Sequence, residues 1–139
     1  MVGHVAPTIA RAAVLKETYS RLYESVTNIF MEASPATFAE TVHVLAEAGT
    51  LITPSVFVRY NVESRVADFP PNSVPQLAWS MAVADVTNQS LWVSVISLLS
   101  AAENLTEDQL CLAYEAACYA ATMGLIEDTT LDAYSFLFF

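Results

Sequence analysis

Apolar positions recur along the chain at the three- and four-residue spacing of helices, in runs separated by capping residues, glycines and prolines. Seven helices are predicted. The first runs from about Pro7 to Met31, with Leu22, Val26, Ile29 and Phe30 at helical spacing. Ser34 followed by Pro35 reads as an N-cap with proline at the first helical position, opening a second helix to Ala48 that carries Phe38, Val42, Leu45 and Ala48 on one stripe and stops at Gly49. Thr53 and Pro54 start a third, running to about Val66 and closed by the Pro70-Pro71 break. Ser73 with Gln76 reads as a capping box for a fourth, to about Val86. Asn88 or Gln89 opens a fifth around Leu91, Trp92, Val95, Leu98 and Leu99. Thr106 with Gln109 caps a sixth that ends near Gly124. A short seventh from about Asp128 carries Leu131, Tyr134 and Phe136. No alternating strand pattern of useful length appears, so the class is all-α.

The helices repeat. Residues Glu40 to Ala48 align with Gln76 to Ala84 at an offset of about 36, and these with Cys111 to Tyr119 at about 35 more. Leu22, Tyr23 and Val26 parallel Leu91, Trp92 and Val95 in the second helix of a pair. Small residues recur on the first helix of each pair, aromatic and branched residues on the second. That pattern predicts one helical-repeat domain over residues 1–139, with units at about 7–33, 34–69, 70–104 and 105–139 stacked as a right-handed, α-solenoid-like array of antiparallel hairpins.

Composition sharpens the picture in one respect. Hydrophobic residues make up 55% of the chain and charged residues 14%, against about 25% charged in ordinary domains. Much of the outer surface is therefore expected to be covered by protein partners. A membrane span is not expected, because the most apolar window, Leu77 to Ala102, is interrupted by Asp85, Asn88 and Gln89. The net charge is −10, and Arg11, Lys16, Arg21, Arg59 and Arg65 are the only Lys and Arg residues. From Val66 onward the chain has acids and no base, which disfavours contact of that half with a phosphate backbone. Any RNA contact would fall to those five basic residues.

Candidate chemistry is sparse. His4 and His43 have no carboxylate or cysteine at metal-ligand spacing, and His43 is expected as a satisfied polar neighbour or a surface residue. Cys111 and Cys118, two helical turns apart, are too distant for a disulfide and read as small buried side chains of a reducing, intracellular compartment. Trp79, Trp92 and Tyr114 read as core packing rather than a base-stacking ladder, because no Lys or Arg interleaves them. Glu107-Asp108 and Glu127-Asp128 sit at predicted helix starts, where carboxylates counter the helix dipole. No catalytic, cofactor-binding or metal-binding signature is present, and an enzyme is not expected. The aromatic stretch Phe136, Phe138 and Phe139 either closes the last hairpin or anchors a partner.

Leu77-Ala78-Trp79-Ser80-Met81-Ala82, entered through a Pro- and Ser-bearing turn, resembles the helical repeats of the octotricopeptide kind and those found beside RAP domains in organellar proteins, and Leu112-Ala113-Tyr114 looks like a second copy. The resemblance extends over about Ser34 to Ala133 and implies a place in organellar gene expression, by binding RNA or as a protein part of a ribosome. Residues Met1 to Lys16, with two bases, no acid and many alanines, echo a mitochondrial presequence. The expectation is thus a non-catalytic protein–protein scaffold, a structural subunit of a large organellar assembly with the mitochondrial ribosome foremost. The alternatives are an RNA-binding repeat protein and an accessory subunit of a respiratory or ATP synthase complex.

Overall fold

The structure is a computed structural model that describes residues 11–18, 21, 24, 25, 28, 31–49 and 52–127. The chain divides into two compact bodies, Met1–Ala33 and Ser34–Phe139. In the first, residues 11–18, 21, 24, 25, 28 and 31 are helical, and Arg21 donates to Glu17 one turn earlier at 2.7 Å. Both of those side chains are largely in solvent, so the pair is worth only about 0.3–0.5 kcal/mol. The predicted start at Pro7, the stripe residues Leu22, Val26, Ile29 and Phe30, the repeat position Tyr23, His4, and the whole seventh helix with Phe136, Phe138 and Phe139 lie outside the described residues.

Among the described residues of the second body every regular element is helical: α1 (Pro35–Glu47), α2 (Pro54–Arg59), α3 (Val62–Arg65), α4 (Val74–Val83), α5 (Gln89–Ala101) and α6 (Glu107–Thr122), with 3-10 turns at Val66–Asp68 and Pro71–Ser73. Three starts are capped as their sequences suggest. The Ser34 hydroxyl accepts from the Thr37 amide at 3.3 Å, the Asn88 side chain from the Leu91 amide at 3.2 Å, and Thr106 and Gln109 form a full capping box. Gly49 and Gly124 close α1 and α6 in the left-handed region, at φ 74° and 72°.

Two local expectations are corrected. Residues 54–66 are not one helix: Asn61 turns left-handed at φ 61° and separates α2 from α3. Asparagine tolerates that conformation, and the turn buries Tyr60 and Val62 on either side of it. Ser73 does not form a capping box, because its backbone is already helical at φ −94°, ψ −13° after the 3-10 turn; its hydroxyl donates back to the Pro70 carbonyl at 2.8 Å.

Helix α4 lies between α1 and α6 and packs most extensively on α6. The reason is visible in side-chain size: Ala113, Ala116, Ala117 and Ala120 form a fully buried stripe on α6, opposite an α4 that buries Leu77, Ala78 and Met81. Small side chains let two helix axes approach closely. Helix α5 packs beside α4 and α3, burying Leu91, Trp92, Val95 and Leu99. Under α1 sits an aromatic cluster. Phe38 stacks on Tyr60 with ring centroids 3.9 Å apart and meets Phe57 and Phe69 edge-on at 6.0 and 6.4 Å.

Candidate interaction site

Polar contacts that tie α4 and its flanking turns to α6 link residues 34 to 37 positions apart in the chain. His43 meets Trp79 edge-on with ring centroids 5.5 Å apart, and the Trp79 indole N–H donates to Glu115 at 2.7 Å. Gln109 donates to the Asn72 carbonyl at 2.9 Å, and the Tyr119 hydroxyl donates to Asp85. Asp85 is itself the left-handed residue that closes α4, at φ 61°. Burial, and then the Asp85 carboxylate, push the Tyr119 phenol up to about 12.

Where the starts of α4 and α6 come beside the end of α1, they leave a concavity of about 510 Å³, within the range of small-ligand pockets. Its walls are His43 and Glu47 from α1, Gln76 from α4, and Thr106, Asp108, Gln109, Cys111 and Leu112 from α6. Gln109 is a fixed wall, since its side chain accepts from the Thr106 amide at 2.8 Å while donating to Asn72. His43 has the carboxylate of Glu47, one turn on, as its near polar neighbour. Its side chain is 12% exposed and Nε2 is buried 3.3 Å from the Glu47 carboxylate, a close polar contact whose angle falls short of a hydrogen bond.

The chain matches no protein family, no curated protein and no solved structure. The site therefore has to be read from its own residues.

Of the five basic residues, Arg11, Lys16 and Arg21 belong to the first body and Arg59 and Arg65 to the second. Arg21 is paired with Glu17, and the Arg65 guanidinium lies 4.4 Å over the Tyr60 ring, where it serves the aromatic cluster. Cys111 and Cys118 are free thiols; Cys111 is exposed and Cys118 half-buried, which corrects the expectation that both are buried. The cause is that α6 turns its alanine stripe inward, placing Cys111 on the rim of the concavity. Trp92 is fully buried and its indole N–H donates to the Val86 carbonyl at 2.6 Å, whereas Trp79 and Tyr114 are half-buried. Glu107 and Asp108 occupy the first turn of α6. Among the described residues no helix is long and apolar enough to cross a membrane, and no three or more His, Cys, Asp or Glu side chains are placed to hold a metal ion.

The concavity was missed at the level of sequence. One signal for it existed: His43 and Glu47, four apart, share a face of α1. That α6 would bring Asp108 and Cys111 to the same place required the packing of a helix about 60 residues further along the chain.

Proposed function

We propose that this chain is a small helical-repeat scaffold, a right-handed stack of hairpins whose units join through their first helices, and that it serves as a non-catalytic structural subunit binding other proteins of a large organellar assembly. The observation that carries the reading is the register of contacts: His43 to Trp79, Trp79 to Glu115, Asn72 to Gln109 and Asp85 to Tyr119 all link residues separated by about one repeat. A stack held together this way leaves its outer faces for partners, and Val44, Val58, Val83, Val93 and Met123 are large apolar residues on those faces. The mitochondrial ribosome as the assembly rests on the resemblance of Leu77 to Ala82 to organellar repeats.

RNA binding is the weaker reading, because Arg21 and Arg65 are engaged within the protein and the chain from Val66 to Phe139 has no Lys or Arg. Affinity purification of the tagged chain from organelle extract, with mild crosslinking and mass spectrometry before and after nuclease, separates the readings. Crosslinks to ribosomal proteins that survive nuclease are expected. Loss of every partner on nuclease treatment moves the assignment to RNA, and recovery with respiratory subunits moves it to that complex.

A further inference from the structure

We infer that the groove between α5 and the turn that follows α6 is the seat of the chain's own residues 128–139, which turn back from α6 as α5 turns back from α4. The inference does not depend on the scaffold reading. It begins from the way the two helices end. Helix α4 closes with Asp85 in the left-handed region at φ 61°; the Asp85 amide donates to the Ala82 carbonyl at 3.1 Å and the Val86 amide to the Met81 carbonyl at 3.0 Å. Helix α6 closes with Gly124 at φ 72°; the Gly124 amide donates to Ala121 at 3.0 Å and the Leu125 amide to Ala120 at 2.8 Å. Each ending is followed by a buried apolar residue, Val86 in one and Leu125 in the other. The helices also run in the same direction, because Asn72, Trp79 and Asp85 meet Gln109, Glu115 and Tyr119 in ascending order. Two parallel helices with the same ending send the chain out the same way. After α4 the exit passes through residues 84–88 into α5; after α6 the same interval, 123–127, ends at Asp128.

That exit opens on an apolar groove. A concavity of about 480 Å³ lies between α5, which contributes Val93 and Ile96, and the exit, which contributes Leu125 and Ile126. Val93 is 53% exposed there, while Leu91, Trp92, Val95 and Leu99 of the same helix are buried. Glu127 is itself on the wall, so residues 128 onward start at the groove's edge. Their sequence fits it. Asp128, Thr129 and Thr130 are residues that cap helices, and Leu131, Tyr134 and Phe138 follow at three- and four-residue spacing, one apolar stripe. As a helix residues 128–139 span about 18 Å, against about 20 Å for the 13 residues of α5. A segment tethered this closely meets the groove at an effective concentration of about millimolar, so a partner protein has to displace it. Phe138 therefore closes the last hairpin instead of anchoring a partner.

The test uses the full-length, isotope-labelled chain carrying Cys111→Ser and Cys118→Ala, so that a nitroxide can be attached at one introduced cysteine. With the nitroxide at Ser97→Cys, exposed on α5 beside the groove, amides of residues 131–138 are expected to lose more than half their intensity. With it at Glu40→Cys, exposed on α1, they are expected to keep it. Circular dichroism melts establish that each variant is folded. Broadening from both positions or from neither overturns the proposal. Mixing nitroxide-bearing chain without isotope into isotope-labelled chain without nitroxide tests for a second copy: broadening of 131–138 in that mixture as strong as within one chain also overturns it. Val93→Asp places a charge in the groove and is expected to restore the intensities and to speed amide exchange at 131–138 by about tenfold or more. Tyr134→Asp is expected to do the same from the side of the segment, and carries the test if Val93→Asp does not fold. Exchange unchanged by these substitutions overturns the proposal. Failure of the scaffold reading looks different: purification recovers no protein partner, while the broadening from Ser97→Cys persists.

Discussion

The contact between Tyr119 and Asp85 joins the end of α4 to α6, and its strength can be read from pH. The phenol sits at about 12 rather than 10, raised first by burial and then by the carboxylate that accepts its proton. Below about pH 10 the tyrosine is protonated in both the folded and unfolded chain, and the contact contributes in full. Between about pH 10 and 12 the unfolded chain gives up the proton first, the folded chain binds more protons than the unfolded, and stability falls as pH rises. A two-unit difference corresponds to about 2.7 kcal/mol; because Tyr119 is only half-buried, solvent screening reduces the expected loss to about 1–2 kcal/mol. Urea unfolding of the native chain and of Tyr119→Phe, from neutral pH to the alkaline limit of reversibility, measures that loss as a steeper decline in the native protein. Phenolate absorbance supplies an independent reading: Tyr119→Phe is expected to remove the highest-titrating component, and Asp85→Asn to lower it while leaving it above 10, since burial persists. At neutral pH a double-mutant cycle over Asp85→Asn and Tyr119→Phe is expected to give a coupling of about 0.5–1.5 kcal/mol. A coupling near zero together with parallel pH profiles refutes the claim that this contact ties the end of α4 to α6.

Trp92→Phe is expected to destabilise by about 2–4 kcal/mol in chemical denaturation, because it opens space in a fully buried position and strips the Val86 carbonyl of its indole donor; a loss under about 1 kcal/mol contradicts that packing. Thr106→Ala removes the hydroxyl half of the capping box of α6, for an expected loss of about 1 kcal/mol by the same measurement. Gly49→Ala meets no atom within 4 Å, so only its φ of 74° matters, and a loss of about 1–2 kcal/mol is expected; a stabilised variant shows that α1 does not end in a left-handed residue.

What was legible in the sequence was what depends on neighbours in the chain. Ser34 before Pro35, Asn88, and Thr106 with Gln109 cap helices because the amide each side chain satisfies is three residues away, a relation the sequence contains. The break at Asn61 was hidden because apolar spacing runs through it; Tyr60 leaves the helix to stack on Phe38, a residue more than twenty positions earlier. Cys111 was assigned to the interior on periodicity, while the interior face of α6 is set by four alanines, whose weak hydrophobicity conceals how closely α4 approaches them. The concavity belongs to the same class of information. A histidine alone on a helix reads as satisfied, and His43 has the nearby carboxylate that would support such a reading. Only the packing of α4 and α6 against α1 covers its Nε2 and sets Asp108 on the same concavity. The packing of α4 between α1 and α6 therefore rests on contacts between residues far apart in the chain, and the same packing brings polar side chains of three helices to one concavity.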